Sequence, residues 1–315
     1  MKVLVTGGAG FIGSHIVDRM LQADMNVYVL DNLSTGSFNN ISSGIKFFKK
    51  DIRDQDIKDV FIREKFDYVI HQAAQTTVTN SLRDPYYDCE VNILGLVNIL
   101  EASRLSGVKR VVFASSAAVY GDTSALPITE EIAKNPTSFY GESKLVGERY
   151  LDMYYKSFGL EYIALRYANV YGERQSDSGE GGVISIFAKK ILSASPLTMY
   201  GDGNQTRDFV YVKDVAAANY QALFSSGATR TLNISTATET SVNALIELMS
   251  QITSHKLDVE YKAKRVGDIQ RSVLNNQAAK FELKWRTQYT LKEGLSLMIS
   301  DMKKKYPHKS KANMV

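Results

Sequence analysis

The stretch VTGGAGFIGSH, residues 5–15, follows a strand-like apolar run and opens a helix. It satisfies G-x-G-x-x-G through Gly8, Gly10 and Gly13, and equally G-x-x-G-x-x-G through Gly7, Gly10 and Gly13. Glycines in such a place permit a tight turn and let backbone N–H groups at a helix N-terminus approach a pyrophosphate. The motif is weak alone and gains weight from its surroundings. Asp31 closes the next strand 18 residues beyond Gly13. A carboxylate there accepts hydrogen bonds from adenosine ribose hydroxyls and repels a 2′-phosphate, so NAD is expected rather than NADP. Asp51 and Ile52, after the third strand, have the placement to cover an adenine edge, although an Asp at a strand end also serves as a turn former or helix cap.

Outward from the glycine loop, apolar runs of strand length alternate with helix-like stretches: KVLVTG, a helix from about Ser14 to Ala23, NVYVLD, KFFKKD, YVIHQA and RVVFASS. Continuous rather than alternating apolarity implies burial on both faces, which predicts an α/β fold with a doubly wound parallel sheet. After EYIALRYANVYG the pattern weakens and Gly-rich loops separate shorter elements. The expected division is a dinucleotide-binding domain over residues 1–168, rejoined by about 208–235, and a smaller mixed α/β lobe from 169–207 and 236–315. The lobe would grow from the C-terminal ends of the strands, where the cleft of such a sheet lies.

Composition narrows the class further. Hydrophobic residues make up 44% and charged residues 23%, the balance of a globular chain. Cys89 is the only cysteine, so no intramolecular disulfide can form, and it reads as a buried small hydrophobe. The start MKVLVTGG leaves no room for a signal peptide and no apolar run approaches a membrane span, so a cytoplasmic location and no membrane partner are expected. The net charge of +4 owes five lysines to the last thirteen residues. Such a tail reads as a solvated terminus rather than a nucleic-acid arm. His15 and His71 read as structural, and no His, Cys and carboxylate cluster has metal-ligand spacing.

The chemistry is expected in SFYGESK, residues 138–144. Tyr140 and Lys144 stand four residues apart, hence on one face of a helix started by Asn135-Pro136-Thr137. To act as a base near neutrality, a tyrosine must titrate about three pH units below its usual value, roughly 4 kcal/mol in favour of phenolate. A buried ammonium and a positive nicotinamide ring can supply that. Gly141 and Gly147 each weaken the helix by up to about 1 kcal/mol relative to alanine, so close approach of cofactor, substrate or a neighbouring element is expected there. Ser115 and Ser116 end a buried strand, where a hydroxyl faces the crevice.

Together TGGAGFIGSH, VLDNLSTG, DIRD, HQAAQTTV, VNILG, SSAAVYG, YGESK, LRYANVYG, YGDGNQTRDFVYV and RVGDIQRS resemble the extended short-chain dehydrogenase/reductase family, in particular its nucleotide-sugar epimerases of the UDP-glucose 4-epimerase type. The resemblance implies a catalytic Ser116, Tyr140 and Lys144, with tightly bound NAD. It implies an NAD site of Gly7, Gly10, Phe11, Ile12, Gly13, Asp31, Asn32, Ser34, Thr35, Gly36, Asp51, Ile52, Gln72, Ala73, Ala74, Gln75, Asn92 and Tyr167. For a UDP-sugar substrate it implies Asn169, Val183, Tyr200, Arg207, Arg265 and Asp268, and a homodimer formed through the helices around 91–103 and 144–155.

Some positions depart from the better-known family pattern. Thr76 and Ala118 replace side chains that often touch cofactor or sugar, Lys284 stands where glycine is common, and Ser272 replaces a bulky tyrosine that narrows the sugar pocket in glucose-restricted members. A small residue there leaves room for an N-acetyl group, so UDP-GlcNAc and UDP-GalNAc are expected beside UDP-Glc and UDP-Gal. Ala117 and Ala118 follow Ser116 where dehydrating relatives carry an acid, which favours epimerisation. The rivals are another nucleotide-sugar enzyme of the same fold, a dehydratase or reductase, and a silent NAD-binding scaffold.

Overall fold

A computed structural model describes residues 1–175, 182–254, 257–264 and 269–305. Strands β1 (Lys2–Thr6), β2 (Asn26–Asp31), β3 (Lys46–Lys49), β4 (Tyr68–His71), β5 (Arg110–Ser116) and β6 (Glu161–Tyr167) lie in the order β3-β2-β1-β4-β5-β6, all parallel, and Thr229–Ile234 extends the sheet beside β6. The order reverses between β1 and β4, as the sheet is wound outward from β1 in both directions, and a crevice opens there at the strands' C-terminal ends.

Period-two alternation explains why the strands read as continuously apolar. Val3 and Val5 of β1 face a core completed by the helices Phe11–Leu21 and Val212–Leu223. Leu4 faces the opposite core, completed by Ile57–Glu64, Gly95–Ser106 and Phe139–Phe158. With both faces covered, both sets of side chains are withdrawn from water.

The first helix starts at Phe11, three residues before the expected Ser14, and ends at Leu21; Asp24, with φ +54, turns the chain towards β2. Its opening turn therefore stands at the glycine loop itself. A third core, with Tyr171, Phe187, Met199, Phe209, Leu245 and Met298 among its members, packs elements from 169–211 with helices Val242–Thr253 and Leu291–Lys305.

Lys284 sits at φ +53, a left-handed conformation that strains a side chain and that glycine adopts freely. Cys89 is exposed, contrary to the expectation of a buried hydrophobe. On its short helix Pro85–Cys89 the inward position belongs to Asp88, which is 1% exposed. Among the described residues no helix is long and apolar enough to cross a membrane, and no group of three His, Cys, Asp or Glu could hold a metal.

Candidate active site

Two adjacent serines at the end of β5 point to different places, as strand geometry requires. Ser115 is buried and donates to Glu148 Oε1 at 2.6 Å. Ser116 caps the following turn, accepting from the Ala118 N–H at 3.1 Å, and lines the cleft with Tyr140, whose phenolate it favours. Ser116 is therefore the serine at the cleft.

Tyr140 and Lys144 ride on the helix Phe139–Phe158. Its cap is Ser138, whose Oγ accepts from the Gly141 N–H at 3.1 Å, rather than the expected Asn135-Pro136-Thr137. Lys144 Nζ lies 5.9 Å from the centre of the Tyr140 ring and 5.0 Å from that of Phe113. Burial lowers the Lys144 ammonium to about 8, with the negative charge of Asp88 opposing the shift. Enclosure raises the Tyr140 phenol, which the Ser116 hydroxyl partly offsets and the Asp88 charge reinforces. The chain's own groups thus do not supply the drop that a base at neutral pH needs, and a cationic ring beside Tyr140 would act in the required direction.

The two costly glycines have steric causes. A Cβ on Gly141 would lie 2.6 Å from the Ala118 carbonyl oxygen, and one on Gly147 would lie 2.8 Å from Phe113 Cζ. Neighbouring elements set both positions.

The residues present fit a dinucleotide. Gly7 stands at φ +67, where a Cβ would meet the Ala73 nitrogen at 2.6 Å, and a Cβ on Gly13 would strike the Gly7 carbonyl. A Cβ on Gly10 would meet only the Gly7 oxygen, at 3.2 Å, leaving a bare backbone beside the cleft. Asp31 accepts from the Ala9 and Leu33 N–H groups at 2.9 and 2.8 Å, tying the second strand's end to the glycine loop while facing the cleft. Asp51 accepts from Asn32 at 2.8 Å and is gripped by Arg53, whose hydrogen bonds hold its carboxyl down at about 2.

The cleft has a volume of about 670 Å³. Gly7, Gly10, Phe11, Ile12, Gly13, Asp31, Asn32, Ser34, Thr35, Asp51, Ile52, Gln72, Ala73, Ala74 and Tyr167 line it together with Ser116, Tyr140 and Lys144. Three expected residues stand behind the wall instead. Gly36 packs against Ala9. Gln75 and Asn92 bond each other, with Asn92 Oδ1 accepting from the Gln75 N–H at 2.8 Å and Asn92 Nδ2 donating to the Gln75 carbonyl at 2.9 Å.

At the far end the cleft reaches Asn169 and Val183. Tyr200 and Arg207 lie on short strands outside its lining; Arg207 donates to the Thr206 and Ile269 carbonyls at 2.8 and 2.7 Å. Ser272 is half-buried beside Val273, whose carbonyl accepts from the Ile128 N–H at 2.9 Å. Arg265 and Asp268 lie outside the described residues. Sequence reading missed Arg174 and Gln175 in the lining, although both directly follow the family-like stretch LRYANVYGE.

A doubly wound sheet whose glycine loop and serine, tyrosine and lysine centre share one cleft defines an extended short-chain dehydrogenase/reductase. The chain belongs to the NAD dependent epimerase/dehydratase family, which it matches over residues 3–235. A Methanocaldococcus jannaschii protein provisionally named UDP-glucose 4-epimerase is 47% identical over 302 residues, covering 96% of this chain and 98% of the relative. The UDP-glucose 4-epimerase of Thermotoga maritima, solved with UDP-glucose, superposes with a TM-score of 0.94 at 40% identity, covering 97% of this chain and 99% of the other. That of Thermus thermophilus, in complex with NAD, gives 0.91 at 41% identity, covering 96% and 99%.

Proposed function

We propose that this protein is a UDP-sugar 4-epimerase with resident NAD that interconverts UDP-glucose and UDP-galactose. The observation that carries the reading is that Ser116, Tyr140 and, one turn on, buried Lys144 line the same cleft that the glycine loop borders. Ala117 and Ala118 place no carboxylate directly after Ser116, which supports simple epimerisation over dehydration.

When bound, NAD supplies the reversible hydride acceptor that turns the sugar C4 into a ketone and back. Glycine-loop N–H groups hold the pyrophosphate and Asp31 the adenosine ribose, and Asp51 and Ile52 border the adenine. Tyr140 takes the O4 proton and later returns it, Ser116 holds O4 by hydrogen bond, and Lys144 stabilises the phenolate and binds the nicotinamide ribose. Asn169 and Val183, in the cleft lining, border the nucleotide diphosphate, and Tyr200, Arg207, Arg265 and Asp268 are the further residues assigned to it from the smaller lobe, residues 169–207 and 236–315. Two guanidinium forks suit a diphosphate, since each pairs with two of its oxygens.

A cytoplasmic homodimer is part of the same reading. Leu94, Met153 and Phe158, on the helices that the family resemblance implies for the dimer surface, are 59%, 57% and 56% exposed, and a partner copy would cover them. Light scattering at micromolar concentration tests the dimer; a mass near 35.1 kDa would refute it.

The deciding experiment incubates the protein as purified, with no cofactor added, with UDP-galactose and resolves the products by NMR. Appearance of UDP-glucose is the expected result. No conversion by protein from which heating releases NAD would remove the reading.

A further inference from the structure

Among the described residues the Lys144 ammonium has no hydrogen-bond or ion-pair partner; what it has is rings, with Nζ over Phe113 at 5.0 Å and, farther off, over Tyr140 at 5.9 Å. The Phe113 ring is held from two further sides. His71, paired with Phe113 across β4 and β5, stacks on it with centroids 6.0 Å apart and planes 12° from parallel. Gly147, three residues after Lys144, leaves the notch that the ring edge fills, since a Cβ there would lie 2.8 Å from Cζ and 3.2 Å from Cε1.

We propose that Phe113 is a positioning residue for the reaction: its ring, stacked on His71 and seated in the Gly147 notch, is the platform on which the Lys144 ammonium is held. The inference rests on the 4-epimerase reading for the role of Lys144. A cation over an aromatic face is attracted by the ring quadrupole, most strongly where both are desolvated, and Lys144 is 4% exposed.

The charges around the site explain why a ring serves better than an acid. The ammonium faces Asp88 from the helix Pro85–Cys89, His71 from β4 and Tyr140 from its own helix, while Tyr167 of β6 faces Tyr140. Asp88 favours the ammonium but also disfavours the Tyr140 phenolate. A carboxylate closer to Lys144 would deepen that conflict, because a full charge acts over a long range at low dielectric. A neutral quadrupole acts at contact and spares the tyrosine. His71 stays neutral beside it, its imidazolium suppressed to about 3 by burial and by Lys144.

The test places fluorinated phenylalanines site-specifically at 113, where each fluorine weakens the quadrupole with little change in shape. The titration of Lys144 is followed by NMR of the lysine-labelled protein, with its signal assigned by loss in Lys144→Arg. The midpoint should fall stepwise with fluorine number, by about one pH unit at three fluorines. Phe113→Leu, which fills the space without a ring, should fall as far, and the alkaline limb of UDP-galactose turnover should move down with the titration. A midpoint unmoved across the fluorine series, in proteins of unchanged thermal stability, overturns the platform. A midpoint that falls in a protein with no epimerase turnover upholds the platform and overturns the 4-epimerase reading.

Discussion

Arg166 of β6 grips Glu148 of the helix Phe139–Phe158 with two prongs, Nε to Oε1 at 2.8 Å and Nη2 to Oε2 at 2.6 Å. Both side chains are buried, at 4% and 8% exposure. The pair is the hub of a network: Ser115 donates to Glu148, while Tyr120 accepts from Arg166 at 2.8 Å and donates to Asn233 at 2.7 Å. Glu148 stands one turn beyond Lys144 and two beyond Tyr140, so the pair fixes the helix against the two strands that border the cleft.

Breaking that pair on one side leaves a buried charge without its partner. Arg166→Met should lower stability by about 3–5 kcal/mol in urea unfolding. Arg166→Met with Glu148→Met should recover most of the loss, because the desolvation penalty disappears with the second charge. A double variant no more stable than the single one would contradict this account.

The two helix glycines should fail differently on conversion to alanine. Gly147→Ala presses on the edge of a side chain, Phe113, which can shift, and should lose about 1–3 kcal/mol with a partial loss of turnover. Gly141→Ala presses on the Ala118 backbone, two residues after Ser116, and should lose turnover more completely than stability. Unfolding curves and turnover with UDP-galactose separate the two; both variants at full activity and cofactor retention would show that neither contact matters.

How much of this was legible beforehand follows sequence distance. The strands, the glycine loop with Asp31, and Tyr140 with Lys144 were legible because their signals are local: a period, a turn chemistry or a four-residue spacing. Which of Ser115 and Ser116 faces the cleft was read from resemblance, and the alternation of β5 supplies its physical reason. Phe113 under Lys144, Arg166 on Glu148 and the charge of Asp88 acting on Tyr140 were illegible, since each joins residues 18 to 52 positions apart. Gln75 and Asn92 lie in motifs that the family resemblance assigns to the cofactor, and they bond each other; a motif marks a neighbourhood and leaves side-chain direction open.

Tyr140→Phe keeps the ring and removes the proton carrier. Turnover should fall by about 10²–10⁴-fold, with NAD retained, because the glycine loop and Asp31 are untouched. NAD is measured after heat release and turnover by NMR. Loss of NAD together with activity would instead assign Tyr140 to cofactor retention.

The pH dependence has a definite sign. Lys144 acts as the ammonium, the form present below its value of about 8 and lost as pH rises through it. Turnover should therefore decline above about pH 8, well below the 10.4 of a free lysine, and a bound cationic ring would move the decline to lower pH. Lys144→Arg, which stays charged throughout this range, should lack that alkaline limb whatever its absolute rate. An Arg variant that keeps the limb would assign the titration to another group.

Ser272 carries the prediction on sugar range. It is half-buried on the segment whose next residue, Val273, accepts from the Ile128 N–H, so the backbone that carries it is held in place. With serine in place, UDP-GalNAc should be converted as well as UDP-galactose. A tyrosine at this position adds a ring where the family resemblance implies a narrower sugar pocket, so Ser272→Tyr should lower turnover of UDP-GalNAc while leaving that of UDP-galactose within a small factor. Discrimination of a pocket against one added group is worth about 1–3 kcal/mol, or 10- to 200-fold, well within reach of an NMR time course on the two substrates side by side. Equal loss on both sugars would mean that Ser272 supports the fold rather than the pocket, and unchanged UDP-GalNAc turnover would place the acetyl group elsewhere.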